Sequence, residues 1–172
     1  MIYRQFDPHP VLANYIDAYW LVSRLEKGIR EEKILPDGCI DLIFNLGADC
    51  RTDNGNFTMQ HEKTYLVGTM TGFKNVMMSP ETRLLGIRFK PGAFSFFFTF
   101  SSLHEVRDIT IEFERRLAPA FPPATQNFIE YLDHYFLKIL SKPKHDLLPV
   151  VADIQNQNGL MHVKTLAQQH CI

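Results

Sequence analysis

Two periodicities divide this chain near residue 90. Ahead of that point apolar and polar residues tend to alternate one by one, the period of a strand with one buried face. Residues 17–23, Asp-Ala-Tyr-Trp-Leu-Val-Ser, are aromatic and β-branched and alternate loosely. Lys33-Ile-Leu-Pro36 then meets Asp37-Gly38, a strong short hairpin signal. On its far side Ile40, Leu42, Phe44 and Leu46 share one face of a strand, while Cys39, Asp41, Ile43 and Asn45 share the other. Residues 48–63 are rich in Asp, Asn and Gly and predict an exposed loop or long hairpin tip. Residues 65–67, 74–78 and 82–89 predict further short strands. Short strands with closely spaced turns point to an antiparallel barrel or sandwich rather than βαβ units.

Behind residue 90 apolar residues recur at three and four. Pro91 suits a first helical turn, and Phe94, Phe97 and Phe98 follow at helical spacing. Phe96 and Phe100 add aromatics on another side, so this short segment is apolar nearly all round and must be buried. Ser102 with Glu105 fits a capping box, and Asp108 predicts the cap of a helix running through Leu117. Pro122-Pro123 breaks the chain. A long amphipathic helix is predicted over 124–141, striped by Phe128, Leu132, Tyr135, Phe136 and Ile139. Asp146 can cap a further helix, striped by Leu147, Val150, Val151 and Ile154 and ended by Gly159. Last come Val163, Leu166 and Ala167, at i, i+3 and i+4 on one face of a short helix.

Composition narrows the class. The 172 residues are 45% hydrophobic and 22% charged, enough for one core and a helical appendage. A net charge of −1 and a pI near 6.6 argue against nucleic-acid binding by this stretch alone. No secretory leader and no apolar run of membrane-spanning length is evident, and widely spaced Cys39, Cys50 and Cys171 form no disulfide framework or zinc knuckle. A cytoplasmic protein with reduced thiols is expected.

The candidate chemistry is sparse. The seven histidines form no HxH or HxxxH pair; His61 with Glu62 is the best remnant of a metal site, and a solvated loop explains it better. His104 and His134 read as surface residues. Ser79 and Ser101-Ser102 lack a His and an acid in frame. Asp37 and Asp41 form a carboxylate pair four apart, but the turn explains one and strand alternation the other. Nothing here is positive evidence for catalysis, metal or cofactor, and the chain is read as a non-enzyme.

Three blocks carry a family resemblance: Ile34-Leu-Pro-Asp-Gly-Cys-Ile-Asp-Leu-Ile-Phe-Asn-Leu-Gly47, Gly86-Ile-Arg-Phe-Lys-Pro-Gly-Ala93, and upstream Pro10-Val-Leu with Tyr19-Trp20. Together they resemble the N-terminal effector or dimerisation domain of AraC-type transcriptional regulators. Residues 154–167 resemble the opening of that family's helix-turn-helix domain. The resemblance implies an α+β chain: a cupin-like antiparallel β-barrel over 1–93, a helical dimerisation region over 94–145, and the start of a DNA-binding domain over 146–172. The base-reading second helix does not follow, so Val163, Lys164, Leu166 and Ala167 would be scaffold only, docking opportunistically or fraying.

A pocket needs an apolar lining with a few placed polar groups. Tyr19, Trp20, Asp41, Asn45 and Arg88 are the candidates for holding a small-molecule effector. Trp20 is a core residue or a ligand platform; Arg88 faces solvent, pairs with Asp41, or holds an anionic ligand. Phe128, Tyr131, Leu132, Tyr135, Phe136 and Ile139 give more apolar width than one packing surface needs, so they predict a homodimer interface. The expected partners are a second copy, DNA through the remainder of the DNA-binding domain, and possible effectors, with no membrane. A cupin-like small-molecule-binding enzyme is the alternative, and a domain that dimerises without a ligand is another.

Overall fold

A computed structural model describes residues 1–100, 102–121, 127–143 and 145–170. Ten strands form two antiparallel sheets, and helices follow them in sequence. The large sheet has the order β1 (Ile2–Phe6), β2 (Ile16–Ser23), β9 (Arg83–Phe89), β4 (Ile40–Asn45), β7 (Thr64–Val67), β10 (Thr110–Glu112). The small sheet runs β3 (Arg30–Ile34), β8 (Lys74–Met78), β5 (Cys50–Thr52), β6 (Phe57–Met59). The ladders end at edge strands and do not close the ten strands into one barrel.

The large sheet is buried on both faces, and the alternation of its strands sorts two cores. Leu42, Phe44, Leu66, Leu85, Ile87 and Phe89 face the helical side. Trp20, Val22, Ile43, Tyr65 and Leu84 face the small sheet, where they meet Cys50, Met59, Val76 and Met78. Strand β2 shows how one extra residue resets this code. Ile16 pairs with Phe89 but Ala18 with Arg88, so Asp17 is bulged. Ile16 and Tyr19, three apart, therefore both enter the helical-side core.

On that side α1 (Phe128–Ile139) buries Leu132 and Phe136 completely. Phe136 packs against Phe89, Phe97 and Phe98 at centroid distances of 5.7, 5.1 and 6.3 Å. The phenylalanine segment is buried as expected, though only Phe94–Phe96 is helical, as a 3₁₀ turn. Polar anchors hold α1 in place: the Asp133 carboxylate accepts from the Tyr19 hydroxyl and the His9 amide, both at 2.9 Å. Burial and this carboxylate keep the Tyr19 phenol protonated far above its usual range.

Three expectations need correction. The Asp37-Gly38 turn forms, with Gly38 at φ +76°, but it joins two sheets instead of closing a hairpin. The reason lies in the flanking strands. β4 is largely buried on both faces and takes a central place between β9 and β7, whereas β3, Arg-Glu-Glu-Lys-Ile, suits the edge beside β8. Second, no helix follows Asp108. Residues 110–112 instead form β10 on the free edge of β7, and Asp108, at φ +62°, accepts from the Thr71 amide and hydroxyl. Strand β10 thus lies inside the stretch expected to be helical. Third, residues 48–63 hold the β5–β6 hairpin, which buries Cys50 and Met59. Ser102 precedes only a 3₁₀ turn and makes no side-chain cap.

The later helices fall where their stripes place them. α1 begins at Phe128, and the expected first turn from 124 lies outside the described residues, as do Pro122, Pro123, Ser101 and Cys171. α2 (Leu148–Asn156) carries Pro149 in its first turn and is followed by Gly159 at φ +73°. α3 (Val163–His170) is a formed helix, tied to α2 through Asp153, which bonds Gln169 and His170 at 3.0 and 2.8 Å. Val163 is 81% exposed, Lys164 is exposed, and Leu166 and Ala167 are half-buried. No helix is long and apolar enough to cross a membrane among the described residues.

Candidate functional site

The two sheets enclose a cavity of about 190 Å³. Its walls are mainly apolar: Val22, Ile43, Met59, Val76, Met78 and Leu84 come from both sheets. It is also lined by Met1, by Tyr3 of β1 and by residues 32–34 of β3, β1 and β3 being edge strands on one side of the sandwich. The opposite side is held by a polar clamp. Asp53 receives the Lys74 ammonium at 2.8 Å and the Thr110 amide and hydroxyl at 2.7 and 2.9 Å. Lys74 shares the inward parity of Val76 and Met78, so its ammonium enters the structure only because Asp53 meets it there.

One corner of the cavity is charged. Arg88 on β9 lies directly opposite Asp41 on β4, and its Nε stands 3.6 Å from Asp41 Oδ1 and 3.3 Å from Asp37 Oδ2. The Trp20 indole N–H donates to the same Asp41 oxygen at 2.7 Å. That bond crosses a whole strand, because Trp20 is on β2, Asp41 on β4, and β9 runs between them. Gly86 makes the crossing possible. It pairs with Trp20 in register, and a Cβ built on it would lie 2.0 Å from the indole ring. Gly86→Ala is therefore expected to lift the indole off the sheet and cost about 1–3 kcal/mol from overpacking. Trp20 is the only tryptophan, so emission and urea unfolding report both effects; unchanged emission would show that the ring does not depend on this glycine.

Burial raises Asp41 from its ordinary 3.8 to about 6, against the pull of Arg88 and the indole N–H. Folding thus favours the protonated acid. The stability this preference contributes is complete below pH 4 and is lost as pH rises from about 4 to about 6, by about 3 kcal/mol at most. Asp41→Asn, which cannot ionise, should flatten that fall in urea titrations across the interval. A fall of the same size in the variant would place the titration elsewhere.

Of the five expected ligand residues, three line the cavity together: Trp20, Asp41 and Arg88. Trp20 is at once core and cavity wall, and Arg88 both pairs with Asp41 and lines the cavity. Tyr19 and Asn45 are placed elsewhere. Tyr19 points to the helical side, turned there by the bulge at Asp17. Asn45 is fully buried, and its amide is used within the chain by Ala48 O, Met59 O and the Gly47 amide. Lys74 was missed as a site residue, though its inward parity in an apolar strand was the signal for it, and Asp37, assigned to the turn, also faces Arg88. His61 bonds the Gly47 carbonyl through Nδ1 at 2.7 Å and lies 3.6 Å from Glu62. Among the described residues, no three His, Cys, Asp or Glu side chains cluster as a metal site would need.

Of the expected dimer residues, Leu132 and Phe136 are buried inside the chain, while Phe128, Tyr131, Tyr135 and Ile139 are only partly covered by it. Phe128 stacks edge-on with Phe6 at 5.2 Å, and the Tyr131 and Tyr135 hydroxyls donate to the Ala120 and Leu117 carbonyls. Ile139 is half-buried, and the exposed side of α1 carries Glu130, His134, Leu137 and Lys138.

Compared with known proteins, residues 4–112 match the family described as "Domain of unknown function (DUF6597)". The chain belongs to the DUF6597 family. The match begins within β1 and ends where β10 ends, so the DUF6597 region takes in nearly all of both sheets and the cavity lining apart from Met1 and Tyr3, and α1 to α3 follow it. No curated protein and no solved structure matches the chain.

Proposed function

We propose that this chain is the effector-sensing and dimerisation portion of a cytoplasmic, DNA-binding transcriptional regulator of the AraC type, and that it is not an enzyme. Two facing antiparallel sheets with no ladder between them are what a cupin-like barrel opened at both seams would give. The observation that carries the reading is the position of Arg88. Its side chain lines the cavity between the sheets and also a cleft of about 680 Å³ beneath α2, where Asp17, Asp37 and Tyr15 face Leu148, Val151 and Gln155. A ligand that draws Arg88 inward weakens its hold on Asp37, and α2 senses the change across the cleft. Such coupling needs contacts that differ between the two states, and Arg88 supplies one. Helices α2 and α3 correspond to the opening of the DNA-binding domain, with Val163, Leu166 and Ala167 awaiting a further helix.

A thermal-shift screen of small metabolites tests the sensing half, because a ligand of the native state raises its melting temperature. Sedimentation at tens of micromolar tests the dimer. A protein that no compound stabilises and that sediments as a monomer would overturn the proposal.

A further inference from the structure

Resting on the sensing reading, we infer that the cavity between the sheets binds a small organic carboxylate with a single-ring or short branched hydrocarbon body, its carboxylate on the Arg88 guanidinium beside Trp20. Size sets the body. A void of roughly 150 Å³ holds benzene, and this one measures about 190 Å³. The walls set its polarity, because Met59, Met78, Val76 and Leu84 offer no strong hydrogen-bonding group and adapt to an irregular apolar shape.

The partners of the wall charges set the headgroup. Lys74 is committed to Asp53 at 2.8 Å, the Lys33 ammonium sits 4.2 Å over the Phe73 ring, and Glu32 pairs with Arg30 at 3.0 Å. The Trp20 N–H is taken by Asp41. Arg88 is different. Its Nε is buried and, among the described residues, has no hydrogen-bond acceptor; Asp37 and Asp41 are near in distance but not aligned to receive it. A guanidinium prefers two parallel bonds to one carboxylate, and neither aspartate provides them. The unmet demand in this corner is for an acceptor, which an ammonium ligand would not answer.

A second anion beside Asp37 and Asp41 would be repelled while Asp41 is charged. Asp41 is already raised to about 6 by burial, so it takes up a proton as the ligand arrives. Binding accordingly tightens as pH falls from 8 toward 6, and in Asp41→Asn that dependence is reduced.

The test uses benzoate, benzamide and benzylamine, which share one ring and differ in head charge, read by melting temperature and by Trp20 emission. Benzoate should raise the melting temperature and perturb the emission, with benzylamine inactive and benzamide weaker. Arg88→Gln should weaken benzoate about tenfold or more, and Arg88→Lys should weaken it less, because it keeps the cation but not the fork. The emission change in the unaltered protein needs no variant to fold. If benzylamine or benzamide binds as well as benzoate, and Arg88→Gln binds them all alike, the carboxylate assignment is overturned while the sensing reading stands. If none of the three perturbs either signal, the carboxylate assignment is overturned, while the sensing reading is decided by the broader metabolite screen and by sedimentation.

Discussion

Replacing Asp53 with Asn is expected to destabilise the fold by about 3–5 kcal/mol, through the buried ammonium it strands. Lys74 and Asp53 have side-chain exposures of only 6% and 12%, so water cannot take over the lost charge. Asparagine is the informative substitution because Asp53 sits at φ +52°, a left-handed conformation that Asn tolerates and Ala resists. Its amide oxygen can still accept from the Thr110 amide, and its NH2 can donate to the Thr110 hydroxyl oxygen, so what is lost is the carboxylate facing the Lys74 ammonium. The cost should shrink when Lys74→Met removes the ammonium as well, since an apolar replacement of both partners leaves nothing unpaired. Urea unfolding of the two single variants and the double variant measures this directly. A double variant no more stable than Asp53→Asn would mean that Asp53 acts through Thr110 and not through Lys74.

Phe136→Ala carries an expected loss of similar size, about 3–5 kcal/mol, by a different route. The ring is fully buried and sits against Phe89 of the large sheet and Phe97 and Phe98 of the connecting segment. Removing it opens a void where three aromatic neighbours converge, and α1 keeps only Leu132 as a completely buried apolar anchor. Phe136→Leu should cost much less, because most of the volume stays. Hydrogen exchange would show whether α1 opens by itself, while Trp20, on the opposite face of the sheet, reports the inter-sheet core. If α1 exchanges fast and the Trp20 transition stays unmoved, the helical layer is an independent unit; if both shift together, the two cores unfold as one.

These two expectations concern opposite faces of one sheet, and the faces differ in how well the sequence announced them. Strand alternation assigned Leu42 and Phe44 to one side and Asp41 and Ile43 to the other, and Arg88 opposite Leu85, Ile87 and Phe89, all as found. Helical spacing placed α1, α2 and α3 within a few residues. Local signals did this work, since a period of two or of three to four is written into neighbouring side chains. The same signals fixed that Phe94, Phe97 and Phe98 must be buried.

Pairing is another matter. Asp37-Gly38 dictated a turn but not which strands would flank it as partners, because a turn constrains direction while burial on both faces selects a central position. Residues 110–112 became a strand only because β7 offered an open edge. The bulge that turns Tyr19 away from the cavity depends on the β2–β9 register, which no short window contains. The cavity is likewise a product of assembly. Trp20, Asp41, Lys74 and the neighbouring Gly86 and Arg88 come from four separate strands, and each alone has an ordinary structural explanation. The chain determined by itself the helices α1 to α3, the strands around residues 17–23, 40–45, 64–67, 74–78 and 83–89, and the inward side of most of their residues. Only the tertiary structure decided which inward residues meet, because contacts between distant strands are set by competition for burial across the whole molecule.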